Sequence, residues 1–275
     1  MDSVTPAGEP ERPARPVARR TVLQAAAVAL GAVPVAGCDS GTDRSPAAAS
    51  TSGPAPTGSG PAPGSPTASA STAGAALPAE LAHGPRDRPN VALTFHGQGD
   101  PGQVRALLDE LDRGGARVTV LAVGSWLQAQ PAMARRILDA GHELGNHTQN
   151  HLAIAGMDAA HAYAEIDSCA RVLKKLTGSV GRWFRPSQTQ YSTATIRAQA
   201  AKAGYPTCLS YDLDSLDYTD PAATAIVGTV AGAIQNGSIV SMHFGHAATL
   251  AAIPPLLDRL RQRGLKPVTV TELVS

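Results

Sequence analysis

From about Leu81 onward, short apolar runs of strand length alternate with stretches of helical spacing, and the cycle repeats seven times. Strands are expected at Asn90–Phe95, Val118–Val123, Glu143–Asn146, Trp183–Arg185, Thr207–Tyr211, Ser238–Met242 and Pro267–Val270. Between them, Val104, Leu107, Leu108 and Leu111 recur at three and four residues, and Met133, Ile137 and Leu138 follow Pro131. Asp158 can cap a long helix that turns Ile166, Cys169, Val172, Leu173 and Leu176 inward and stops at Gly178. Further helices are expected from Thr193 to Ala203, from Asp220-Pro221, and through Leu256, Leu257 and Leu260 to Gly264. Such alternation predicts an α/β fold, a parallel sheet wrapped by helices. Roughly 195 residues suit a small, incomplete (β/α) barrel of about seven parallel strands better than two domains. An open doubly wound sheet is the rival. No glycine fingerprint of the dinucleotide or P-loop type follows the first strand, which weakens it.

The first eighty residues read as address and tether. Arg19 and Arg20 precede an apolar stretch, Ala25 to Ala36. It is far shorter than the roughly 20 residues a spanning helix needs. It fits a signal-peptide core, and the paired arginines point to the twin-arginine export route. Val35-Ala36-Gly37-Cys38 resembles a lipobox, which makes residues 1–37 a signal peptide and Cys38 the lipidated first residue of the mature chain. Residues 38–80 are rich in Ser, Thr, Pro, Gly and Ala. They hold too few apolar side chains to offset their ordering entropy, so a flexible tether is expected before a domain at 81–275. The expectation is an exported protein, anchored by lipid to the outer face of the cell membrane.

The 23 basic and 22 acidic residues of the 275-residue chain form no basic stripe, so nucleic acid is not an expected partner. No required protein partner is expected either. Three cysteines are too few for a disulfide scaffold, and Cys169 and Cys208 read as buried thiols.

In a barrel of this kind the working residues lie where strands end. His96, His147, Arg185, Asp212, Asp214, Asp217 and His243 all follow or close expected strands. The sharpest local motif is His147-Thr148-Gln149-Asn150-His151. Histidines at i and i+4 share a helical face and can reach one divalent metal, most simply zinc.

Several segments then occur in order: Ala92-Leu93-Thr94-Phe95, Gly141 through His151, Phe184-Arg185-Pro186, Asp214-Ser215-Leu216-Asp217-Tyr218 and Ile239-Val240-Ser241-Met242-His243. Together they resemble the motifs of the NodB-type polysaccharide deacetylases, across essentially all of residues 90–275. The resemblance implies a distorted (β/α) barrel. It also implies a metal, commonly zinc, that activates water to remove N- or O-linked acetyl groups from a polysaccharide of the cell envelope or the extracellular space. By resemblance His147 and His151 are metal ligands, His243 is the general acid, Asp217 orients it, and Arg185 positions the base. Tyr218 and Asp214 are candidate substrate contacts. Trp183 reads mainly as packing, with a sugar platform as its other role, and His246 reads mainly as a solvated loop residue, with substrate contact as its other role.

The first motif departs from the family pattern. Where Thr-Phe-Asp-Asp-Gly-Pro is expected, the chain has Thr94-Phe95-His96-Gly97-Gln98-Gly99-Asp100-Pro101. The base is replaced by His96 and a metal-ligating carboxylate by Gly97. Three roles for His96 follow: third metal ligand, general base beside Arg185, or neither, in a protein that binds glycan without cutting it. Asp100 is a distant candidate for the lost carboxylate.

Overall fold

The computed structural model describes residues 77–275. The expected leader, Cys38 and the tether up to residue 76 lie outside the described residues. The elements run β1 (Glu80–Leu81), β2 (Asn90–Gly97), α1 (Pro101–Arg113), β3 (Thr119–Ala122), α2 (Gly124–Ala129), α3 (Ala132–Asp139), β4 (Glu143–Asn146) and α4 (Ala159–Thr177). They continue with α5 (Ala194–Lys202), β5 (Cys208–Leu209), β6 (Leu213–Asp214), α6 (Ala223–Ala233), β7 (Ile239–His243), α7 (Ala247–Gln262), β8 (Lys266–Pro267) and α8 (Val270–Leu273).

Among the described residues the named strands pair in parallel, in the order β4-β3-β2-β7-β6, with β8 against the start of β2; the isolated His83–Ser238 bridge is antiparallel. Phe184 bridges Asn146 and Cys208, and β5 pairs with β1. The sheet therefore curls on from β4 towards β1 as an incomplete barrel. The period-2 pattern of β2 sorts its side chains. Val91, Leu93 and Phe95 join the cluster under the outer helices, whereas Ala92 joins the interior cluster with Leu121, Trp183 and Ile239. His96 shares the inward parity of Ala92 and Thr94.

Four expectations need correction. The strand at Trp183–Arg185 shrinks to a single bridging residue, Phe184. The last strand stops at Pro267, because Thr269 and Glu272 form a reciprocal cap that starts α8. Residues placed in the tether belong to the domain, since Pro78 and Ala79 carbonyls accept from Thr207 Oγ1 and Cys208 N. Finally, Trp183 is no sugar platform. It is buried, and its Nε1 donates to Glu143 Oε1 at 2.9 Å and Thr271 Oγ1 at 3.1 Å, closing the end of the barrel where strands begin. Asp158 caps α4 and Gly178 ends it at a positive φ of 83°, as the sequence predicts. No helix among the described residues is long and apolar enough to cross a membrane.

Candidate active site

His147 and His151 are not on a helix. Beyond β4 the chain runs through a loop in which Thr148 and His151 have positive φ values of 70° and 56°. Side chains hold this shape. Asn146 Oδ1 accepts from Thr148 N at 2.8 Å, and Glu165 accepts from Asn150 N at 2.8 Å and from Asn150 Nδ2 at 2.6 Å. The turn, rather than helical periodicity, brings the two imidazoles to a centroid separation of 4.9 Å. Glu165 is a site residue that sequence reasoning missed. Its signal was an acidic residue beside Ile166, on the inward face of α4.

His147 Nδ1–H donates to the Arg185 carbonyl at 2.9 Å, which fixes the tautomer and leaves Nε2 as a lone pair. That Nε2 is buried without a partner among the described residues. A buried orphan acceptor beside two more imidazoles fits a metal ligand, oriented through its other nitrogen. One nitrogen from each of His96, His147 and His151 lies within 4.8 Å of the other two. Such a nitrogen-only set suits zinc or a similar borderline ion.

Burial, followed by the neighbouring imidazoles, lowers the pKa of His96 and His147 well below the ordinary histidine value; the Arg185 charge lowers both, while the Arg185 carbonyl bonded to His147 opposes the shift there. Burial and then His243 lower His151 as well. All three are therefore neutral, ready to ligate, near pH 7. The unfolded chain, with histidines near 6.5, binds more protons than the native state below that pH. Metal-free protein should be fully stable above about pH 6.5 and lose stability as pH falls towards the depressed values. Thermal unfolding in chelator at pH 7.5 and 5.5 checks this, and equal midpoints would contradict it.

Arg185 is fully buried. It donates to Thr94 Oγ1 at 2.8 Å, Ser210 O at 2.9 Å, Leu209 O at 3.3 Å and His96 Nε2 at 3.3 Å. No carboxylate among the described residues hydrogen-bonds it. Burial lowers its pKa to about 9, against smaller raising effects of Tyr211 and Asp214, so it stays a cation at neutral pH.

Because Arg185 only donates, His96 Nε2 must accept and Nδ1 must carry the proton. Nδ1 lies 2.7 Å from His243 Nε2, and His243 Nδ1 lies 2.7 Å from Asp217 Oδ1. A one-way chain results, from guanidinium through His96 and His243 to carboxylate. Neither nitrogen of His96 is free in it. His96 can act as ligand or base only when one of these bonds gives way.

Asp217 is fully buried, and its Oδ2 accepts from His243 N and Thr249 Oγ1, each at 2.8 Å. Burial alone would raise its pKa, but the hydrogen bonds and charge of His243, with Thr249, bring it below the ordinary carboxylate value. Thr249, on the first turn of α7, carried no signal in the sequence.

His96, His151, His243, Asp214 and Tyr218 line a cleft of about 520 Å³. Asp214 also accepts from Leu216 N, and Tyr218 stands half exposed, its ring centroid 5.3 Å from that of His243. Asp212 lies apart, bound to Arg86 and Ile239 N. Asp100 does not reach the site, because its carboxylate caps α1 through Gly102 N and Gln103 N. Cys169 and Cys208 are free and buried, and burial pushes the Cys169 thiol up to about 12.

Gly97 leaves no room for the missing carboxylate. A Cβ there would lie 2.8 Å from Val120 Cγ1 and 3.0 Å from Ala122 Cα. Gly97→Asp should therefore cost about 1–3 kcal/mol through overpacking, read as a lowered denaturation midpoint. An unchanged midpoint would show that β3 yields freely.

Residues 83–208 match the family model described as polysaccharide deacetylase. The peptidoglycan-N-acetylglucosamine deacetylase of Bacillus cereus is 31% identical over 194 residues, covering 69% of this chain and 90% of that protein. The chain belongs to the polysaccharide deacetylase family. Within that family, a family 4 carbohydrate esterase from Streptomyces lividans, solved with acetate, is 31% identical with a TM-score of 0.61, covering 64% of this chain and 90% of that one. A family pseudoenzyme from Bacillus anthracis shares the fold, with a TM-score of 0.68 at 22% identity, covering 73% and 70%. The chain spans 61% of Bacillus subtilis YlxY and 38% of the Listeria monocytogenes deacetylase PgdA, at 24% and 26% identity.

Proposed function

We propose that this protein removes acetyl groups, N- or O-linked, from a polysaccharide of the cell envelope, in a metal-dependent hydrolysis. The observation that carries this reading is the coexistence of the orphaned His147 Nε2, grouped with His96 and His151, with a buried, fully bonded Asp217 on His243, where His96, His151 and His243 line one cleft. His147, His151 and His96 would hold the ion. When bound, a divalent metal supplies Lewis acidity towards the acetyl carbonyl and makes water a stronger nucleophile at neutral pH.

The remaining work falls to the chain's own residues. For His243 Nε2 to face the cleft freely, His96 would ligate through Nδ1, its proton moving to Nε2, so that both its bond to His243 and its bond from Arg185 are given up. His243 then takes the proton released by the attacking water and passes it to the leaving nitrogen or oxygen. Asp217 fixes the tautomer of His243 and stabilises its cationic form, and Thr249 and the His243 amide hold Asp217. Arg185 keeps a positive field beneath the reacting carbonyl. Tyr218 and Asp214 contact the glycan from one wall. In the cell, Cys38 would carry a lipid that holds the domain at the outer face of the membrane.

A second reading has support of its own. Gly97 offers no carboxylate, and His96 has both nitrogens engaged, as in a glycan-binding lipoprotein without activity. Acetate release from N-acetylchito-oligosaccharides and from peptidoglycan, with zinc or cobalt added, separates the two. No release with any metal would establish the silent reading. Metal content of His96→Ala decides the role of His96. A loss of bound metal supports the ligand assignment, and unchanged stoichiometry sinks it.

A further inference from the structure

The wall of the cleft carries a second histidine–aspartate pair beside the first. Asp217–Thr219 form a single 3-10 turn, in which residues i and i+3 eclipse. Asp217 opens the turn and Asp220 closes it, with a left-handed φ of 53°. The junction of β7 and α7 repeats the spacing with His243 and His246. Two pairs result, each joining residues 26 apart in the chain: His243 Nδ1 to Asp217 Oδ1 at 2.7 Å, and His246 Nδ1 to Asp220 Oδ1 at 2.6 Å. The two imidazole centroids are 6.1 Å apart, with ring planes at 80°.

The pairs differ in their surroundings. The inner carboxylate is fully buried, whereas the side chain of Asp220 is 71% exposed. An exposed pair lacks the desolvation that gives the inner dyad its strength, so it suits hydrogen bonding better than proton transfer. Helix capping does not explain it. His246 stands at the N-cap of α7, but its side chain makes no capping bond. Because a carboxylate only accepts, Asp220 holds a proton on Nδ1, which leaves Nε2 as the ring nitrogen open to another partner. No hydrogen bond to that Nε2 is made among the described residues, and His246 lines the same cleft as His243.

We infer that His246, held by Asp220, positions the substrate by hydrogen-bonding a saccharide hydroxyl in the cleft through Nε2. The inference rests on the deacetylase reading only in taking a saccharide as the occupant.

The test titrates N-acetylchitotetraose into metal-loaded wild type, His246→Ala and Asp220→Ala, following heat of binding and the histidine ring resonances. Acetate release is measured in parallel. His246→Ala should weaken binding about tenfold, the loss of one hydrogen bond in a desolvated contact, and raise KM with kcat nearly unchanged. Asp220→Ala should show a smaller loss in the same direction. The wild-type His246 resonance should shift on binding. Equal affinity in His246→Ala, a fall in kcat with KM unchanged, or no binding by wild type would each overturn the inference. Binding of normal strength without acetate release would instead overturn the deacetylase reading and leave the His246 assignment standing. Thermal melts of both variants check that the fold is intact.

Discussion

His243→Ala should lower the rate of acetate release by about two to four orders of magnitude, the usual contribution of one positioned acid–base group. The side chain stands at the only step in the chain from Arg185 to Asp217 that faces both the cleft and a buried carboxylate. Metal content should not change, because His96, His147 and His151 are untouched. Asp217→Asn, which keeps the shape but loses the charge, should approach the same loss by allowing the wrong tautomer. Acetate assays with parallel metal analysis decide this. A variant retaining more than a tenth of wild-type activity would remove His243 from the chemistry.

The second large effect concerns His147. Ligand at about 100 times its dissociation constant stabilises a native state by about 2.7 kcal/mol. For a domain of this size that corresponds to a rise of roughly 5–10 °C in midpoint. Zinc should raise the midpoint of wild type by this amount and leave His147→Ala unmoved. The readout needs no substrate, so it holds even for a protein without activity. A zinc-dependent rise that survives His147→Ala would place the ion elsewhere.

The alternation of elements was legible in the sequence because each strand and helix carries its own periodic apolar face. The caps at Asp158 and Gly178 were legible for the same local reason. Short strands were not. β1, β5 and β6 have two residues each, too few for a period, and exist because neighbours supply the partners. The site shows the same division. His147, His151, Arg185, Asp217 and His243 were visible as polar residues at strand ends, and the structure brings them together. How the histidine loop converges was misread, since positive φ at Thr148 and His151 depends on Glu165, a residue in another element. Trp183 opens its expected strand, so its place at the mouth where strands begin was legible, but its partners Glu143 and Thr271 lie in distant segments and were not. The direct bond between His96 and His243 joins residues 147 apart, a juxtaposition no local pattern encodes.

The plug formed by Trp183, Glu143 and Thr271 has a kinetic consequence. Thr271, in α8, lies 88 residues from Trp183 and 128 from Glu143, so the floor closes only through contacts between distant segments of the chain. Contacts over such separations form late and slow the search for the native state. Glu143 accepts from Thr119, Trp183 and Thr271 together, and the interlock is complete only when all three segments have arrived. The indole of Trp183 is thus placed as a built-in clock. Its emission in refolding should trail the backbone signal and record the moment at which the barrel seals.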